Sequence, residues 1–317
     1  MRILIVGAGA VGGYFGGRLA AAGRDVSFLV RTARAGQLRR EGLRIVSPHG
    51  DLTVEPVVVE RAGITAPYDL VLLGVKGHAL DRAMEDFAPA VGPETMILPV
   101  LNGMQHMDRL TLRFGRAPVL GGVCLVASEL DDDGRIVQLA EFQSLIYGER
   151  SGEVTLRVQT LDAALQGAGF EAELSTGIMQ AMWEKWVQLA SLGAVTCLLG
   201  GPVGEIAAVP HGPETARAII DEAAQIAAAH WHAPSPGFRE RVAAMLTASG
   251  SPMTSSLYRD MQKGAEVEVD AIIGDLIERG AAKNIESPLL KAAFVRLKVY
   301  QAVRGGAVPD GTASSPG

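Results

Sequence analysis

The sequence predicts an α/β domain with a doubly wound, mostly parallel sheet, followed by an all-α domain. Three observations carry this. Short β-rich apolar runs alternate with helical patterns through the first half. A glycine-rich segment follows the first run directly. Strand-like runs almost vanish after about Thr176. Buried runs alternating with helices mark a parallel sheet covered on both faces. The expected domains are residues 1–175 and 176–304, with a Gly/Pro/Ser-rich tail, 305–317, expected to be disordered.

The elements follow in order. "RILIVG" (Arg2 to Gly7) is a continuous apolar run ended by glycine, and a helix is expected over Val11 to Ala22. "VSFLV" (Val26 to Val30) is the second strand, and "EPVVVE" (Glu55 to Glu60) an irregular one. "DLVLLGVK" (Asp69 to Lys76), "TMILPVLNG" (Thr95 to Gly103) and "VLGGVCLVA" (Val119 to Ala127) continue the parallel series, with a helix over His78 to Phe87. "ELDDDGRIVQLA" (Glu129 to Ala140) reads as a hairpin turning at Asp133-Gly134. Helices are expected over Ile178 to Leu199, Pro213 to Ala233, Pro236 to Ala248, Glu266 to Asn284 and Pro288 to Arg304.

Composition narrows the function. The 317 residues are 48% hydrophobic and 20% charged, enough for a sizeable core. Net charge is −6, and the longest basic block, "LRREGLR", is broken by Glu41, so nucleic acid is not an expected partner. Cys124 and Cys197 lie far apart and match no zinc or redox spacing. They read as free thiols in a reducing cytoplasm, and no metal site is expected. The N-terminus has the look of a weak signal peptide, but its glycines have a better explanation. "MWEKWVQLASLGAVTCLLGG" (Met182 to Gly201) carries no charge after Lys185 and approaches the length of a membrane span. Gln188, Ser191, Thr196 and its glycines make it a buried core helix instead.

"VGAGAVGGYFGG" contains Gly7-x-Gly9-x-x-Gly12 directly after the first strand. Gly7 permits a tight turn, Gly9 lets backbone approach a pyrophosphate, and Gly12 allows close helix–strand packing. Ala10 and Val11 open the helix, whose N-terminus offers free N–H groups and a positive dipole end to phosphates. The pattern is a dinucleotide fingerprint in its correct context. At the end of the second strand an acid would select NAD and an arginine NADP. Arg31 stands there in "FLVRTARAGQ", Arg34 is next nearest, and no acid follows until Glu41. NADP(H) is therefore the expected cofactor.

Ligands bind beyond the carboxyl ends of parallel strands. Lys76 in "LLGVKGHAL" and Asn102-Gly103 in "LPVLNGMQH" stand at such ends. They offer a cation and an amide for a nicotinamide and its substrate. His78, His106, His230 and His232 have no metal-ligand spacing and read as structural or surface residues.

The chain resembles the ketopantoate reductases (2-dehydropantoate 2-reductases) over roughly Met1 to Arg304. The resemblance rests on "ILIVGAGAVGGYFGGRLA", Arg31, Lys76, "LNGM", "WEKW" and "SSLYRDMQKGAEVEVDAIIGDL" (Ser255 to Leu276). It implies an N-terminal Rossmann domain, a helical C-terminal domain, and NADPH-dependent reduction of a 2-oxo acid with the active site between them. It implies further that Lys185 is the general acid and that Lys76 and Asn102 line the cofactor and substrate site. Ser256 contacts substrate in this reading. Glu268 contributes to catalysis and to cofactor and substrate binding.

Three positions depart from the family's pattern. Its asparagines four and eight residues after the lysine, and before a Gly-Glu pair, are here Leu189, Gly193 and Val203. A site that loses such amides loses their discrimination for a hydroxylated substrate. The expected substrate is therefore a 2-oxo acid: ketopantoate itself, or a more apolar compound reduced by a paralogue. A non-catalytic NADP-binding regulator is the alternative of another class. Homodimerisation is left open, and neither membrane nor nucleic acid is expected.

Overall fold

A computed structural model describes residues 1–305. Of the expected tail, 305–317, residues 306–317 lie outside that range. The chain divides into two compact units. One comprises Met1–Leu101 and Gln105–Met182; the other comprises, among the described residues, Asn102–Met104 and 183–305.

The first unit is built on a parallel sheet. Its strands are β1 (Arg2–Val6), β2 (Asp25–Leu29), β5 (Val57–Val59), β6 (Leu70–Leu73) and β7 (Met96–Pro99), in the order β5-β2-β1-β6-β7. Every pairing in it is parallel. β6 and β7 are buried throughout, which is why they read as unbroken apolar runs. The helices are α1 (Ala10–Ala21), α2 (Thr32–Glu41), α3 (Leu80–Phe87), α4 (Gln105–Phe114) and α5 (Leu156–Leu165).

A second sheet corrects the expected topology. It comprises β3 (Leu43–Val46), β4 (Leu52–Val54), β8 (Gly121–Leu130), β9 (Ile136–Gly148) and β10 (Glu171–Leu174). The segment Val119 to Ala127, expected to extend the parallel series, meets it only through a bridge between Ile97 and Val119. It then pairs antiparallel with β9. The cause is local. Gly134 takes φ +70°, its N–H donates to the Asp131 carbonyl, and the Asp131 carboxylate accepts from the Arg135 N–H. That turn closes an antiparallel ribbon, and local pairing prevails over a distant crossover. Helix α1 packs against side chains from both sheets. Phe28 and Ile5 press on Gly16, and Leu43 and Ile45 press on Gly17. Its glycines therefore trade helix propensity for contact on two sides. Tyr14, fully buried on α1, donates to Gln138 Oε1 of β9 at 2.8 Å, which satisfies its hydroxyl.

The second unit is helical. Its helices are α6 (Ile178–Leu199), through which the division falls, α7 (Val203–Ala207), α8 (Gly212–Ala229), α9 (Pro236–Leu246), α10 (Ser256–Gln262), α11 (Asp275–Ala281) and α12 (Pro288–Arg304). Pro288 stands at the start of α12, and the Glu222 carboxylate of α8 accepts from the Leu289 and Leu290 N–H groups at 3.0 and 2.9 Å. A neighbouring helix thus caps α12. Helix α8 stops short of its expected end because Trp231 adopts φ +63°.

The expected single helix over Glu266 to Asn284 is also corrected. A π-turn, Asp270–Gly274, precedes α11, closed by the Asp275 N–H donating to the Asp270 carbonyl. Such insertions widen the helix by one residue and turn a carbonyl outward. Among the described residues, no helix is long and apolar enough to cross a membrane.

Candidate active site

In the first unit, the glycine motif occupies the turn from β1 to α1. Gly7 takes φ +92°, a region that disfavours side chains. A Cβ on Gly12 would overlap the Gly7 carbonyl oxygen, so α1 rests directly on the loop. A Cβ on Gly9 would meet nothing within 4 Å, so the space beside it is open. No side chain caps α1 and no acid stands in its first turn. Ala10 and Val11 therefore sit where a helix presents free N–H groups. Open space over Gly9 beside an uncapped helix terminus fits a pyrophosphate.

The loop opens onto a cavity of about 430 Å³. Arg31, the residue preceding α2, lines it and is exposed. Among the described residues its side chain has no hydrogen-bond or ion-pair partner. Arg34 lines the same cavity and is held at Nε by the Ala8 carbonyl and at Nη1 by the Gly134 carbonyl. Burial pushes the Arg34 pKa down from its ordinary value.

Four charged cavity residues were not legible in the sequence. Arg61 and Arg82 approach Asp86 at 3.9 Å each. Glu60 is carried there by β5, the strand beside β2, and accepts from Thr32 Oγ1 at 2.9 Å and Arg39 at 3.5 Å. A strand-adjacent acid from thirty residues downstream leaves no local sequence signal. Lys76 is exposed and begins a 3₁₀ turn after β6. His78 is exposed in that turn, and His106 is buried on α4. Among the described residues no group of three or more His, Cys, Asp or Glu side chains is placed to hold a metal.

The second unit gathers the remaining predicted residues. Lys185 lies half-buried on α6, followed by the fully buried Trp186. The Trp186 indole N–H donates to the Ile272 carbonyl of the π-turn at 2.8 Å. Glu268, also half-buried, accepts the Ile272 N–H at its own carbonyl at 3.1 Å. Gly103 takes φ +77°, and a Cβ there would overlap the Ala271 carbonyl oxygen. Asn102 precedes it and is half-buried. The backbone around Asn102, the residue after Lys185, and the turn after Glu268 therefore meet at one junction.

Ser256 is exposed at the first position of α10. The preceding Ser255 caps that helix through Tyr258 and is hydrogen-bonded to Thr196 of α6 at 2.8 Å. Of the three departing positions, Leu189 alone presents side-chain surface. At Gly193 the Leu257 Cδ1 atom lies 2.8 Å from where a Cβ would stand. Val203 is fully buried, and its N–H donates to the Met253 carbonyl. Leu257, absent from the sequence reading, is what covers Gly193.

Comparison with known proteins agrees across both units. The family model described as "Ketopantoate reductase PanE/ApbA" matches residues 3–152, and that described as "Ketopantoate reductase PanE/ApbA C terminal" matches residues 177–301. "Uncharacterized oxidoreductase YkpB" of Bacillus subtilis (strain 168) is 35% identical, covering 95% of this chain and 99% of the relative. The crystal structure of 2-dehydropantoate 2-reductase from Geobacter metallireducens GS-15 is 30% identical with a TM-score of 0.84, covering 94% of this chain and 99% of that one. D-mandelate dehydrogenase, solved with NADH and anilino(oxo)acetate, shares the fold at 19% identity and a TM-score of 0.85, over 96% and 99% of the two chains.

The two glycines separate packing from binding. Gly12→Ala is expected to destabilise the protein by about 1–3 kcal/mol, because backbone must shift. Gly9→Ala is expected to leave the thermal unfolding midpoint nearly unchanged and to weaken dinucleotide binding at least tenfold. Thermal unfolding and calorimetric titration on both variants check this.

Proposed function

The chain belongs to the ketopantoate reductase family, and on that premise we propose that it reduces a 2-oxo acid to a 2-hydroxy acid with NADPH. The family is one of oxidoreductases that act on a CH–OH group with a nicotinamide dinucleotide. The observation that carries the reading is the junction of Gly103, Trp186 and the π-turn. It ties Asn102, Lys185 and Glu268 to one framework.

The preference for NADPH rests on charge. Arg31 and Arg34 line the cavity beside the glycine loop. The cavity's Glu60 is engaged by Thr32 and Arg39, and its Asp86 by Arg61 and Arg82. Arg31 is left to meet a 2′-phosphate through charge-assisted hydrogen bonds.

When bound, NADPH supplies the hydride that reduces the carbonyl carbon. Lys185 donates a proton from Nζ to the ketone oxygen as negative charge develops there. General acid catalysis of this kind contributes ~10²–10⁴-fold. Glu268 orients Lys185 or accepts from a substrate hydroxyl. Asn102 and Lys76 line the cofactor and substrate, and Ser256 contacts the substrate. The most favoured substrate is 2-dehydropantoate, giving pantoate for pantothenate biosynthesis. A second reading, a more apolar 2-oxo acid, is favoured by Leu189 and by Leu257 over Gly193. Both cysteines are buried and neither is in a disulfide among the described residues, which suits a reducing cytoplasm.

Oxidation of NADPH with a panel of 2-oxo acids tests the reaction. Turnover of 2-dehydropantoate supports the first substrate, and turnover of apolar members alone supports the second. NADPH binding without turnover of any member would favour a regulator. Lys185→Ala is expected to lower kcat by ~10²–10⁴-fold with NADPH affinity nearly intact, and unchanged kcat would remove its assigned role. Arg31→Ala is expected to weaken NADPH about 10- to 100-fold and NADH far less. Equal weakening in calorimetric titration would undo the NADPH assignment.

A further inference from the structure

A buried carbonyl needs a donor, and the donor chosen for Ile272 is unusual in its position. Ile272 is buried within the π-turn that follows Glu268. Its carbonyl accepts from the Trp186 indole N–H at 2.8 Å, and both partners are buried. Trp186 is the residue after Lys185, and Ile272 stands four residues after Glu268. The hydrogen bond therefore joins α6, which bears Lys185, to the π-turn that follows Glu268.

The indole is also confined on other sides. The Trp183 ring packs against it with centroids 5.0 Å apart. The Arg279 guanidinium lies 5.6 Å from its ring centroid, and Arg279 is itself held by the Asp275 carboxylate at 3.1 Å. A Cβ on Gly103 would stand 3.8 Å from the indole nitrogen, so the Asn102-Gly103 backbone passes directly beside the bond. A π-turn places its carbonyls one residue out of helical register, and such turns recur at functional sites. Here the outward carbonyls of Ala271 and Ile272 meet Gly103 and Trp186.

We propose that Trp186 is a positioning residue, whose indole N–H locks the π-turn and so sets Lys185, Glu268 and Asn102 in mutual register. The inference rests on the catalytic reading of Lys185 given above. It goes beyond that reading by assigning the geometry to one N–H group rather than to general packing. A phenylalanine fills the ring's space but leaves the Ile272 carbonyl buried without this donor. Small displacements of catalytic groups cost rate more than affinity.

The test is Trp186→Phe, assayed with NADPH and the fastest 2-oxo acid of the panel. Turnover is normalised to the number of NADPH-binding sites, which removes any misfolded fraction. The expected result is a kcat lower by about 10- to 100-fold, with both KM values changed less than threefold. Arg279→Met, which removes the cation over the ring and keeps the N–H, is expected to hold kcat within threefold of the parent. If Trp186→Phe does not fold, the protein carrying 3-benzothienylalanine at position 186 replaces it. That side chain keeps the bicyclic shape and has sulfur where the N–H was. Lys185→Ala is measured in parallel. Parental kcat in the N–H-deficient protein beside an inactive Lys185→Ala overturns this inference alone. Parental kcat in Lys185→Ala overturns the catalytic reading, and the inference with it. A loss equal in Arg279→Met assigns the effect to packing and also overturns the inference.

Discussion

Two backbones approach each other closely only where one of them carries a hydrogen in place of Cβ, and both units are organised around such a contact. In the first, Gly12 rests on the Gly7 carbonyl, which presses α1 onto the turn after β1. In the second, Gly103 rests on the Ala271 carbonyl, which presses the Asn102 turn onto the π-turn. Each contact sets a chemical feature. The first leaves an uncapped helix terminus over open space at Gly9. The second brings Asn102 to the turn that follows Glu268.

Charge distinguishes the two sites. The cavity beside the glycine loop has its acids engaged by hydroxyl or guanidinium partners and leaves Arg31 exposed. That balance is what the proposed preference for NADPH rests on. The junction in the second unit depends instead on a neutral donor, the Trp186 indole, satisfying a buried carbonyl. Neutral hydrogen bonds in buried positions contribute modestly to net stability, but leaving one unmade is costly. Such a bond therefore specifies an arrangement more than it stabilises the fold. The apolar cover of Gly193 by Leu257 acts in a third way, by filling space that a polar side chain would otherwise occupy.

Much of this was legible in the chain. The glycine spacing, the apolar runs of β1, β6 and β7, and the bounds of α6 and α12 follow from local rules of turn, pattern and capping. So does the hairpin turn at Gly134. The second sheet was not, because β3, β4 and β10 are short and only partly apolar, and acquire their identity by pairing. The π-turn was not, because Asp270 to Gly274 has an ordinary helical composition, and the extra residue is accommodated by contacts from elsewhere. One of these is Phe294 of α12, set against Gly274.

The sequence by itself determined the fold class, the dinucleotide turn and Asn102 as a strand-end candidate, and its resemblance to a known family marked Lys185, Glu268 and Ser256. The fold class and the turn depend on patterns within single elements, which the chain carries in order. Tertiary structure alone decided that Asn102–Met104 belongs with the helical unit, that Glu60 reaches the cavity of Arg31, and that Trp186 joins α6 to the π-turn. Each of these joins residues far apart in the chain. Their proximity is set by packing and by the need to satisfy buried polar groups, and neither has a local period to read.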